Sequence, residues 1–199
     1  MTPDLKALWD SMEITKPDLF TQEVAAILAA QTRYQAVSYS SGVPWQVIGA
    51  LHQRESSGSF HQHLHNGDSL TARTVHIPKG RPAVGGPPFS WEDSAHDALA
   101  YDNLSVSIFW GDIGITLLNI ERYNGMGYRN HGILSPYLWS GTNHYTVGKY
   151  SDDGHYDPSL ADKEPGCAGM LHLLGYGKKE AIEGPRIVIT PNFGPEMGI

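Results

Sequence analysis

One cysteine, Cys167, in 199 residues rules out an internal disulfide, so packing and polar contacts alone must hold the fold. Charge is sparse at 18% of the chain, and 21 acidic against 14 basic side chains leave a net charge of −7. Nucleic acid and anionic lipid both require basic surface, so this balance argues against either as partner. No run approaches the roughly 18 apolar residues of a spanning helix. The opening MTPDLKALWD has no basic stretch followed by an apolar one, so neither membrane insertion nor a signal peptide is expected. Internal repeats and low-complexity blocks are also missing. What is present is 40% hydrophobic residues, enough for the core of a single domain over 1–199, expected to be monomeric.

Periodicity predicts helices over about 4–12 and 21–39, separated by Pro17, which together make an N-terminal helical part over 1–40. A third opens at Val43-Pro44, where proline suits the first turn. Trp45, Ile48, Leu51, His52 and Glu55 then share one face, and Ser56, Ser57 and Gly58 end it. From Phe60 to Phe89 the texture becomes polar and rich in Gly and Pro. Asn66-Gly67 signals a hairpin turn, LTARTVHI a strand after it, and PKGRPAVGGPPF a loop. Ser90 and Asp93 resemble a capping box for a fourth helix to about Tyr101, and Asp112 caps a fifth that stops at Asn124-Gly125. A helix over about 158–174 is expected next. Residues 175–199 carry RIVIT as an edge strand or tail.

Glu55 is the residue that asks for a chemical reason. A carboxylate on the inward face of a helix end is pushed toward protonation by desolvation and by the negative end of the helix dipole. An acid that keeps its proton near neutral pH is what glycosidic cleavage needs, because the leaving oxygen must be protonated. The plain alternative is an ion pair with Arg54 or Lys79. A second carboxylate decides the mechanism, and Asp68, on the outgoing side of the Asn66-Gly67 turn, is the candidate base. Its alternative is to stabilise that turn. Glu92, Asp93 and Asp97 are accounted for by a helix N-terminus.

The run VPWQVIGALHQRESSGSF, followed after the fifth helix by IERYNGMGY, resembles the "ES" and "AYNAG" motifs of goose-type lysozymes and soluble lytic transglycosylases. More broadly the chain resembles a bacteriophage endolysin of the lysozyme superfamily, over about residues 43–150. The resemblance implies a mainly α (α+β) lysozyme-like domain in which a small β-hairpin forms one wall of the cleft. It places the general acid on Glu55 with Ser56 beside it, the sugar-lining pair on Tyr123 and Asn124, and an acid on the hairpin at Asp68. A "GLMQ"-like segment between the motifs is replaced by HNGDSLTARTVHIPKGRP, which leaves hydrolysis and transglycosylation both open.

Tyr123, Tyr128, Tyr137, Trp139 and Tyr145 crowd one region among polar neighbours including Asn143, as a carbohydrate groove would, although aromatics also build cores. Thr71 and Arg73 could meet sugar hydroxyls or a peptide-stem carboxylate, and His52 could orient the acid from one turn away. His61, His63 and His65 alternate but lack the partners of a zinc site, so no metal or other cofactor is expected. DDGHYD lacks the spacing of a calcium loop. The resulting expectation is a peptidoglycan hydrolase that cleaves the β-1,4 bond between MurNAc and GlcNAc. It would wait in the host cytoplasm for holin-mediated release to the cell wall. A lytic transglycosylase and a non-catalytic glycan-binding or virion module remain the alternatives.

Overall fold

The computed structural model describes residues 3–104, 108–152 and 154–178. Its architecture is mainly helical with one small two-stranded antiparallel sheet. Helix α1 (Leu5–Asp10) is capped by Asp4, whose carboxylate accepts from the Ala7 N–H. The expected second helix is two: α2 (Thr21–Ala29) and α3 (Gln31–Ser41), which meet at Ala30. The helical pattern runs through the bend without Gly or Pro, so no local signal marks it. The bend lets Ile27 of α2 and Tyr34 and Val37 of α3 all bury against the core.

Helix α4 (Trp45–Ser56) is the axis of the molecule, with Val47, Ile48, Ala50, Leu51 and His52 fully buried. Gly49 is required there because a Cβ would stand 2.6 Å from Ile27 Cγ2, so α2 crosses at contact distance. The helix ends as the sequence indicates: Ser57 and Gly58 take left-handed conformations, and their N–H groups bond back to Gln53 and His52. Helix α5 (Trp91–Tyr101) starts at Ser90, which accepts from the Asp93 N–H. Helix α6 (Ile113–Asn124) starts at Asp112, which accepts from the Ile115 N–H. Short α7 (Pro136–Trp139) and α8 (Cys167–Leu173) complete the core against α4 and α6. The helix expected over 158–174 is therefore confined to its last turns. Residues 158–166 instead cross the surface irregularly and drop Asp162 into the interior.

The predicted hairpin at Asn66-Gly67 is corrected. The turn forms, with the Asn66 side chain accepting from the Asp68 N–H, but the flanks make only one bridge, Gln62 to Ser69, and 70–77 is not a strand. The sheet lies elsewhere: β1 (Lys149–Asp152) pairs with β2 (His155–Asp157) through Lys149–Asp157 and Tyr150–Tyr156, with a bulge after Tyr150. RIVIT falls outside the described residues. Among those described, no helix is long and apolar enough to cross a membrane.

Candidate active site

Glu55 sits in the last turn of α4, partly buried, where the helix meets α7 and the loop before α8. The Tyr137 hydroxyl of α7 donates a 2.7 Å hydrogen bond to its Oε1. Desolvation pushes the carboxyl pKa up, the Tyr137 bond and the Arg54 charge pull it down, and Asp102 and Glu164 push it up again. The result lies at about 7. Burial and the neighbouring Glu55 in turn hold the Tyr137 phenol well above its ordinary value, so it stays a donor.

Arg54 is not the counter-ion of Glu55. Its Nη2 lies 2.8 Å from Asp162, whose side chain is fully buried, and its Nη1 lies 3.2 Å from Glu164. Lys149 of β1 reaches the other Asp162 oxygen at 2.8 Å. Burial works against the Asp162 anion, but Arg54 and Lys149 outweigh it and hold its pKa below the usual range. Two cations and two carboxylates thus largely neutralise one another beside Glu55, so the pull of Arg54 on its pKa is smaller than the push of desolvation. The same hub fixes the groove, since it ties β1 to the end of α4. The Arg54 guanidinium also lies 4.9 Å from the Tyr137 ring centroid, bracing the phenol that holds Glu55.

Glu55 opens on a groove of about 350 Å³ lined by α4, α7, the end of α6 and the face of β1. Asn124 ends α6 and Tyr128 follows it, and Lys149, Tyr150 and Ser151 come from β1. Tyr123 lies behind this wall, with its hydroxyl donating to the Leu64 carbonyl at 2.8 Å. Of the residues singled out in the sequence, Glu55, Asn124, Tyr128 and Tyr137 therefore line one groove, with Tyr123 packed beside it. A hairpin does form part of its wall, but it is β1–β2 and not the Asn66-Gly67 turn.

The remaining candidates lie elsewhere. Asp68 faces its own loop: it accepts from the N–H groups of Val75 at 2.8 Å and His76 at 3.0 Å and from His76 Nδ1 at 2.6 Å. Burial opposes its charge, but these donors prevail and pull its pKa down to about 2. His52 is a core residue between the Tyr34 hydroxyl and the Ser59 carbonyl, packed on Phe60 and Trp91. Desolvation takes its pKa down to about 4, so it is neutral at neutral pH. The Ser56 hydroxyl bonds back to the His52 carbonyl. Thr71 is exposed and, among the described residues, bonds only to Ser69. Asn143 ties Ser11 and Glu13 to the loop after α7, and Tyr145 supports Gly148 and the Asp162 backbone. His63 and His65 serve Ser94 and Asp97, and no cluster of three metal-ligating side chains occurs among the described residues. A hollow of about 470 Å³ beside Phe89 contains Asp97, which Arg81 and His65 already occupy.

Sequence reasoning passed over Lys149, Tyr150, Ser151 and Glu164. The alternation KYSD, then HYD after Gly154, was the available signal for the first three. Nothing local announces Glu164. No protein-family model, curated protein or solved structure matches this chain.

Proposed function

We propose that the chain is a carbohydrate-cleaving enzyme that works through one partly buried carboxylic acid, Glu55. The observation that carries this reading is a carboxyl with a pKa near 7, held by Tyr137, at the floor of a polar groove with tyrosines on its walls. Below that pH Glu55 holds a proton to donate to a glycosidic oxygen as charge develops at the anomeric carbon. Tyr137 keeps the carboxyl aimed and stabilises the anion left after transfer. Tyr150, half-buried on the groove wall and backed by the buried Tyr128, offers an aromatic surface to sugar C–H groups, and Asn124 and Ser151 offer hydrogen bonds.

Within that class we assign the substrate as peptidoglycan and the bond as the β-1,4 link between MurNAc and GlcNAc, on a lysozyme-like plan. The support is the likeness of residues 43–60 and 120–128 to lysozyme and transglycosylase motifs, whose acid and sugar-lining residues fall at this groove. A phage endolysin is the setting that fits. One observation favours a second reading. Asp68 is taken up by Val75 and His76, so if no other group activates water, the C6 hydroxyl of MurNAc closes on the anomeric carbon and the enzyme is a lytic transglycosylase.

The test is digestion of purified peptidoglycan by wild type and Glu55→Gln, with mass spectrometry of the released muropeptides. Reducing-end MurNAc products lost in the variant support the muramidase, and anhydro-MurNAc products support the transglycosylase. Binding without products from wild type would replace both with a non-catalytic glycan-binding module.

A further inference from the structure

We infer that Glu164 is the second carboxylate of the reaction, the base that takes a proton from the attacking water. This rests on Glu55 being the acid. Glu55 and Glu164 line the same groove, and Asp68 does not. Their settings differ as an acid and a base require. Glu55 is partly buried against Tyr137, whereas the Glu164 side chain is 55% exposed and touches one cation, Arg54, through Oε2. No described residue bonds Oε1, so it is available to a water. Asp162, two residues earlier, cannot serve as the base, because its side chain is 0% exposed and both its oxygens are taken by Arg54 and Lys149.

Position along the groove points the same way. A second hollow of about 350 Å³ shares Lys149, Tyr150, Ser151 and Glu164 with the first and continues past Leu160. Glu164 therefore stands where the two join, and a polysaccharide lying along β1 passes it on the way to Glu55. The geometry is also braced. The Glu164 N–H donates to Asp162 at 3.2 Å, and Arg54, which contacts the Glu164 carboxylate, packs over the Tyr137 ring that holds Glu55. One arginine sets both carboxyl groups.

The step balances. Glu55 gives its proton to the glycosidic oxygen as the C1–O bond breaks, water oxygen bonds to C1, and the water proton passes to Glu164. The net change is addition of one water across the bond, and solvent returns the proton from Glu164 to Glu55.

The experiment compares muropeptides released by wild type, Glu55→Gln, Glu164→Gln and Glu164→Ala, the last with and without sodium azide. Glu164→Gln is expected to lose reducing-end products by about 100-fold or more. Azide should restore cleavage by Glu164→Ala and appear in the product as a glycosyl azide, which a structural defect would not produce. A loss in both variants that azide leaves untouched would mean Glu164 acts only on Arg54, and would overturn the assignment. So would hydrated products from Glu164→Gln at the wild-type rate, or only anhydro products from wild type, while in both cases an inactive Glu55→Gln leaves the acid in place. Full activity of Glu55→Gln would bring down both proposals.

Discussion

Glu55 and Asp68 lie on consecutive segments of the chain, and their surroundings drive them apart. Glu55 loses water and receives one hydroxyl, and its pKa rises to about 7. Asp68 receives two backbone N–H groups and an imidazole, and its pKa falls to about 2. Both are desolvated, but Glu55 far more deeply, and that is the largest push on its pKa. The count of donors widens the gap: each bond to the anion lowers the pKa, and Glu55 has too few to offset what desolvation costs. A buried acid short of donors is a reservoir of protons, whereas one with three is a clasp for a loop.

The sharpest way to break the contrast is Glu55→Gln, which keeps shape and removes the proton. Cleavage should fall by about 10²–10⁴-fold, measured as muropeptide release. Stability should move the other way. The folded state holds the Glu55 proton up to about 7 while the unfolded chain releases it near 4.5, so stability falls as pH rises between those values. Above pH 7 the variant is therefore expected to be more stable than wild type by about 1–3 kcal/mol, read from urea unfolding at pH 8. A less stable variant would mean that the Tyr137 contact outweighs desolvation.

Asp162→Ala tests the hub that keeps Arg54 away from Glu55. It strands a guanidinium whose side chain is 7% exposed together with Lys149, and should cost about 3–5 kcal/mol in denaturant unfolding. The released Arg54 should also pair with Glu55 and lower its pKa, moving the loss of activity to a lower pH.

Asp68→Asn addresses the other side of the comparison. Its anion is stabilised in the folded state, so its contribution is complete above the unfolded value of 3.8 and disappears as pH falls through about 2. The variant should lose about 1–2 kcal/mol at pH 7, converge with wild type in strong acid, and keep the pH profile of cleavage. A collapse of activity without loss of stability would return Asp68 to the reaction.

The helices that build the site were legible because their signals are local. Pro44 opens α4, Ser57 and Gly58 close it, and Ser90 and Asp112 cap α5 and α6 by bonds to residues three ahead. Glu55 followed from the same periodicity. The split at Ala30 was not legible, because apolar spacing continues through it. The Asn66-Gly67 turn was read correctly, yet a turn does not decide whether its flanks pair, and here Asp68 draws 75–76 into a loop instead. The groove wall and the Arg54–Asp162 contact join residues 108 apart, and no spacing rule reaches that far. Glu164 belongs to that long-range part, which is why its role emerges only from the packed groove.

The finest test of the contrast is Tyr137→Phe, which subtracts the one donor that Glu55 has among the described residues. That bond favours the anion, so its loss should raise the Glu55 pKa above about 7. A general acid works while protonated, so wild-type kcat/KM should decline as pH rises through about 7, and the variant should decline later. The rate at pH 6 should drop only a few-fold, since the acid is still protonated but less well aimed and its conjugate base less well stabilised. At pH 8 the two effects oppose each other, and the variant should come closest to wild type there. A downward shift of the alkaline limb would show that Tyr137 holds the protonated carboxyl rather than the anion, with the phenolic oxygen accepting the Glu55 proton.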